Sequence, residues 1–131
     1  MEPFLLVFVC TGNICRSPMA EGFMKHLCMN EALRTGTSIP LKVISAGTHA
    51  MDGYPASENA VRVTADDGID ISAHRSQLLR DETVNSADLL LTMERHHADI
   101  ISYHWPLTVE VRELAAYGLI EGMASGPVNV M

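Results

Sequence analysis

Residues 4–9, Phe-Leu-Leu-Val-Phe-Val, are continuously apolar and rich in β-prone side chains. A strand with no polar alternation is covered on both faces, which places it in a parallel sheet flanked by helices. Just beyond it, Ser17-Pro18 predicts a helix N-cap followed by proline at the first helical position. Met19, Ala20, Phe23, Met24, Leu27 and Cys28 follow at helical spacing and predict an apolar stripe on a helix ending near Asn30. The chain therefore begins as strand, short loop, helix.

The alternation continues. Residues 41–46 predict a second strand ending at Gly47, and Ser57 caps a helix over 58–67 that Gly68 stops. Residues 88–93 predict a third strand, and 94–103 a helix with Ala98, Ile100 and Ile101 inward and Pro106 beyond its end. A short strand near Leu107–Val109 and a helix around 110–117 complete the reading. Strands alternating with helices give an α/β fold with a parallel sheet, whose ligands bind beyond the carboxyl ends of the strands. The loops after residues 9, 46 and 93 are the places to look.

The 131 residues suit one domain spanning 1–131. Apolar residues make up 47% and charged residues 19%, as in a soluble globule. No apolar run reaches the roughly 18 residues of a membrane helix, and the apolar start lacks the basic flank of a signal peptide. A net charge of −7 argues against nucleic acid as partner. Cys10, Cys15 and Cys28 are odd in number and fit no zinc spacing, so neither a disulfide framework nor a metal is expected. The expected location is the cytoplasm, where thiols stay reduced.

The loop itself, Cys10-Thr11-Gly12-Asn13-Ile14-Cys15-Arg16-Ser17, lies between a buried strand and a helix N-terminus. Such a turn aims backbone N–H groups at one point, and the helix dipole adds positive charge there. Gly12 and Asn13 tolerate positive φ, and Arg16 offers a planar fork for two oxygens of a phosphate. Thr11, Gly12, Asn13, Ile14, Cys15 and Arg16 thus form a candidate dianion cradle, with Cys10 at its mouth as a thiolate nucleophile. Ser17 is placed to stabilise the thiolate when it leaves phosphorus. Cys10 alone would read as a small buried hydrophobe, and Cys-x5-Arg alone is a weak signal. The whole segment is specific, and no Walker-type Gly-x4-Gly-Lys-Ser/Thr occurs.

The run Val7–Glu21, which contains Cys-Thr-Gly-Asn-Ile-Cys-Arg-Ser-Pro, resembles the low-molecular-weight protein tyrosine phosphatases. The similarity continues through Ile44-Ser45-Ala46-Gly47-Thr48, Gly68–Arg75 and Leu89–Met93. The resemblance implies a doubly wound, flavodoxin-like, four-stranded parallel sheet with helices on both faces. It implies hydrolysis of phosphotyrosine, on a protein or a small aryl phosphate, through a phosphocysteine with no metal or cofactor. Phosphate or vanadate-like oxyanions would inhibit. Cys10 matches the nucleophile and Arg16 the phosphate-binding arginine. Asn13, Ser17, Ser45 and His74 match a network that holds the loop in shape. On their own, Ser45 would read as a turn serine and His74 as a satisfied loop histidine. Cys15 matches a second loop cysteine able to form a reversible disulfide with the nucleophile. His49, Met51 and Tyr54, in the loop after the second strand, match a wall of the substrate cleft. His96, His97 and His104 match no family role and read as exposed helix residues without carboxylate or cysteine partners.

One departure stands out. The family's general acid is an aspartate in an Asp-Pro pair near the C-terminus, and this chain has no Asp-Pro. Asp99 is the last aspartate and Glu121, a disfavoured replacement acid, the last carboxylate. The C-terminal part therefore reads as short or divergent. The chain would be a fragment, a slow phosphatase, or a protein that binds oxyanions without turnover. Two alternatives stay open: an arsenate reductase of the same fold, disfavoured in its thioredoxin-coupled form because Cys28 is the last cysteine, and a phosphate-binding or redox-sensing protein built on Cys10 and Cys15.

Overall fold

A computed structural model describes residues 2–106 and 110–114. The elements are β1 (Phe4–Cys10), α1 (Arg16–Thr35), β2 (Leu41–Gly47), α2 (Glu58–Asp66), α3 (Asp81–Ser86), β3 (Leu89–Thr92), α4 (Arg95–His104) and β4 (Glu110–Glu113). The strands pair in parallel in the order β2-β1-β3-β4. The apolar run is the central strand, with Cys10 opposite Gly47 on one side and Val9 opposite Thr92 on the other. Its alternate residues serve two cores. Leu6, Phe8 and Cys10 pack with Ala20 of α1, while Val7 and Val9 pack with Val84 of α3 and Ile101 of α4. Each fully buried side chain of this size contributes about 1.5–3 kcal/mol, which is why the strand carries no polar residue. The strand order reverses at β1, and Cys10 stands at its carboxyl end, the place where open parallel sheets bind their ligands.

Several boundaries differ from the sequence expectations. Helix α1 begins at Arg16 with Cys15 at the N-cap, so Ser17 is not the cap; its hydroxyl is engaged elsewhere. The helix runs past Asn30 to Thr35 and ends on Gly36 in the left-handed region, φ 75°. Its stripe is buried only at the start, through Met19 and Ala20, and Leu27 is exposed because the helix outruns the sheet. Residues 110–113 form strand β4, not a helix, since pairing with β3 overrides local preference. α3 has no counterpart in the sequence reading. The Ser57 cap of α2 is present, accepting from the Ala60 N–H at 3.1 Å. The strand expected at Leu107–Val109 and the tail from residue 115, including Glu121, lie outside the described residues. Among the described residues no helix is long and apolar enough to cross a membrane.

Gly47 closes β2 against the loop that follows β1. A Cβ there would sit 2.4 Å from the Thr11 carbonyl oxygen, 2.8 Å from Ala50 Cβ and 3.0 Å from the Asn13 nitrogen. Two of these neighbours are backbone atoms that no rotamer change can move, so only glycine lets the two loops meet.

His97 is the largest departure on α4. It is fully buried rather than exposed. Glu94 caps the helix, accepting the His97 backbone N–H on its side chain, while the His97 imidazole accepts the Glu94 backbone N–H at 3.1 Å. His97 and Ile101 share the inward face one turn apart. Burial first, and then the positive charges of His96 and Arg16, push the His97 imidazole down from 6.5 to about 4, against the opposing pull of Glu94.

Two outcomes follow from these contacts. Gly47→Ala lowers unfolding stability by about 1–3 kcal/mol, the usual cost of overpacking, measurable by urea denaturation. His97 folds as the neutral base, so the unfolded chain takes up its proton first on acidification. Its contribution is intact above about pH 6.5 and is lost between there and about pH 4, up to roughly 3 kcal/mol. The difference in Tm between the wild type and His97→Gln should shrink across that window, and a constant difference would contradict the buried neutral state.

Candidate active site

The loop after β1 is built around Asn13. Its backbone has φ 56°, the single positive φ among the described non-glycine residues, and Gly12 does not share it. This conformation costs an L-residue roughly 1–2 kcal/mol. Four hydrogen bonds hold it. Asn13 Nδ2 donates to Ser17 Oγ at 2.8 Å and to Ser45 Oγ at 2.9 Å. Asn13 Oδ1 accepts the Gln77 N–H at 2.8 Å, and the Asn13 carbonyl accepts from His74 Nε2 at 2.7 Å. At about 0.5–1.5 kcal/mol net each, they outweigh the backbone cost. The expected support residues Asn13, Ser45 and His74 are thus brought together.

The network extends beyond what the sequence signalled. Ser45 Oγ, having accepted from Asn13, donates to Glu21 Oε1 at 2.6 Å, and Gln77 Nε2 donates to the Ser45 carbonyl at 2.8 Å. Glu21 lies one helical turn from Ser17, a spacing that could have flagged it. Gln77 carries no such signal, since its role depends on a tertiary contact. No buried side-chain nitrogen or oxygen among the described residues lacks a partner. A cavity of about 350 Å³ borders this network at Pro18, Glu21, Lys25, Ser45, His74 and Arg75; neither Cys10 nor Arg16 lines it.

Cys10 Sγ sits 2.9 Å from Ser17 Oγ and 3.2 Å from the Asn13 backbone nitrogen, which donates to it. Ser17 Oγ already accepts from Asn13, so its own proton is free for the sulfur. Both donors stabilise negative charge on sulfur, as does the start of α1. The expected catalytic residues Cys10 and Ser17 are in contact. Arg16 leaves the first position of α1 and pairs with Glu94 at 3.1 Å. The pairing engages one guanidinium nitrogen of a group that carries five N–H donors.

Cys15 is a free thiol pointing to Ser57 Oγ at 3.6 Å, in a cluster with Met19, Ala56 and Ala60 distinct from the cluster that holds Cys10. The loop after β2 is tied to the cradle by backbone bonds from Thr48 N to the Cys10 carbonyl and from His49 N to the Thr11 carbonyl, both 2.9 Å. Met51 and Tyr54 on that loop are exposed.

Sequence reasoning missed Glu94 and His97, which both reach the cradle. His97 Nε2 lies 2.9 Å from Thr11 Oγ1. The signal available was an acidic N-cap with histidine three residues on. Glu94, His96 and His97 also bring ligand atoms within 4.8 Å of one another, so a carboxylate partner for the histidine pair does exist. Both His97 ring nitrogens are already engaged and Glu94 is paired with Arg16, which leaves His96 with no free partner set for a metal.

Comparison with known proteins agrees with this geometry. The family model described as low molecular weight phosphotyrosine protein phosphatase matches residues 5–122. A probable low molecular weight protein-tyrosine-phosphatase, EpsP, of Ralstonia solanacearum is 47% identical over 89 residues, 67% of this chain and 54% of its own length. An arsenate reductase of Shouchella clausii is 38% identical over 99 residues, 76% of this chain and 63% of its own. A mutant of YwlE from Bacillus subtilis superposes with a TM-score of 0.76 at 35% identity, over 91% of this chain and 75% of that one, and a structure titled YwlE arginine phosphatase superposes with a TM-score of 0.77 at 35% identity, over 91% of this chain and 73% of that one. The chain spans about half the length of EpsP. With the family model covering nearly the whole sequence and the cradle built on the same segment, this chain belongs to the low molecular weight phosphotyrosine protein phosphatase family.

Proposed function

We propose that the protein is a cysteine-dependent phosphatase acting on phosphotyrosine or related aryl phosphate monoesters. The observation that carries the reading is the bond chain from Asn13 through Ser17 to the Cys10 sulfur, which prepares a thiolate under an oxyanion cradle. The Arg16 fork and the loop N–H groups would bind the phosphoryl oxygens. The Cys10 thiolate attacks phosphorus in line, forming the S–P bond as the P–O bond to the phenol breaks, with the electron pair leaving on the phenolate oxygen. Water then attacks phosphorus, the S–P bond breaks and the thiolate departs toward the Ser17 hydroxyl. Inorganic phosphate is released.

An aryl group is favoured over a cationic guanidinium by the loop after β2. Its one carboxylate, Asp52, is held by Arg80 and by the Leu78 N–H at 2.9 Å, and these contacts lower its pKa, the Arg80 side-chain bond most. Exposed side chains on that loop include Met51 and Tyr54, which suit a phenyl ring. His49 borders them on the same loop. The relatives' names also include arginine phosphatase and arsenate reductase, so substrate class is the point to measure.

The purified protein should release phosphate from p-nitrophenyl phosphate and phosphotyrosine faster than from phosphoarginine, and Cys10→Ser should abolish release. No release, together with tight vanadate binding, would leave a binding protein instead. Where no Asp-Pro acid acts, as in these 131 residues assayed by themselves, the phenolate departs unprotonated. That forfeits the factor of about 10²–10⁴ general acid catalysis supplies. The rate should fall steeply as leaving-group pKa rises across a series of aryl phosphates, and a flat series would reveal an acid supplied by another residue.

A further inference from the structure

The contacts of His97 fix more than its burial. Its Nδ1 accepts the backbone N–H of Glu94, and a neutral imidazole carries one proton, so that proton is on Nε2. Nε2–H therefore donates to Thr11 Oγ1, and the threonine oxygen is the acceptor. The hydroxyl proton of Thr11 is then directed away from His97. Thr11 Oγ1 has no second side-chain partner among the described residues, and Thr11 is the cradle residue that directly follows Cys10. Its backbone is held from the other side by the bond from His49 N to the Thr11 carbonyl.

We propose that His97 is a positioning residue that presents the Thr11 hydroxyl as an additional hydrogen-bond donor to the oxyanion held in the cradle. This rests on the oxyanion-binding reading given above and extends it to a side chain outside the Cys10–Ser17 segment. The roles are sequential. Backbone capping of α4 sets the tautomer, the tautomer sets the direction of the Thr11 hydroxyl, and the hydroxyl faces the ligand. The groups that surround the imidazole favour the neutral form this requires. His96 lies on the same helix, Arg16 on α1 and His49 on the loop after β2, and all three disfavour a further positive charge; Glu94 alone favours it. The rest of the cradle donates through backbone N–H groups and Arg16, whose directions are set by the loop. Thr11 differs in having a proton that rotates, and the His97 contact removes that freedom before ligand arrives, in keeping with preorganised donors.

The test combines a spectroscopic signature with a double-mutant cycle on the full chain. Nitrogen-15 NMR of the imidazole in the ligand-free protein should show a neutral ring protonated at Nε2 at pH 7. Orthovanadate affinity is then measured for the wild type, Thr11→Val, His97→Leu, the double variant and His97→Gln. Glutamine keeps a side-chain N–H near the Nε2 position. Thr11→Val and His97→Leu should each weaken vanadate binding by about three- to tenfold, the range of one hydrogen bond. The double variant should be no weaker than the worse single one by more than about twofold, and His97→Gln should restore most of the loss. A ring protonated at Nδ1, a Thr11→Val protein that binds vanadate normally, or additive losses would overturn the proposal while leaving the phosphatase reading intact. A wild type that binds no vanadate would overturn both. If His97→Leu fails to fold, Thr11→Val and His97→Gln decide the question alone.

Discussion

Everything at this site depends on one residue held in an unfavourable backbone conformation. Asn13 turns the chain with a positive φ, and its side chain, carbonyl and amide are each used by a different neighbour. The amide reaches the Cys10 sulfur, the side chain reaches Ser17 and Ser45, and the carbonyl takes the His74 proton. The strain is tolerated because elements distant in sequence all bond to the same residue. α1 supplies Ser17, β2 supplies Ser45, and the segment between α2 and α3 supplies His74 and Gln77. The fold itself therefore holds the loop in this shape, as a site of preorganised donors requires.

The sheet explains why these partners converge. Parallel pairing places the carboxyl ends of β1, β2 and β3 side by side, so Cys10, Gly47 and Thr92 lie in adjacent rows. The loop after β1 becomes the cradle, the loop after β2 leans on it through Thr48 and His49, and the turn after β3 delivers Glu94 and His97. Three loops that meet at the strand ends thus share one candidate anion site. Gly47 marks how closely they approach, since its missing side chain is the space between two of them.

Much of this was legible in the sequence, for physical reasons. The apolar run at residues 4–9 has a single stable placement, the middle of a sheet covered on both sides. The Cys10–Ser17 segment carries its chemistry in residue types at fixed spacing, and the support roles of Ser45 and His74 came from family resemblance. The failures have physical causes too. Ser17 looked like a helix cap because a hydroxyl before proline usually is one; here the sulfur and Asn13 compete for it and win. His97 looked exposed because histidine counts as polar in a periodicity argument, whereas both of its nitrogens find partners inside. Residues 110–113 have the composition of a solvent-facing helix, and pairing with β3 makes them an edge strand. Contacts set by tertiary structure leave no mark in local sequence.

The central claim is that every turnover passes through one phosphocysteine on Cys10. Partitioning tests it most directly. Aryl phosphates with different phenols are hydrolysed in the presence of glycerol, and the ratio of glycerol phosphate to inorganic phosphate is measured for each. A shared phosphocysteine has lost all memory of its phenol, so the account predicts one ratio for the whole series. A ratio that changes with the leaving group would mean that water or glycerol attacks the substrate itself, and would contradict the nucleophilic role of Cys10.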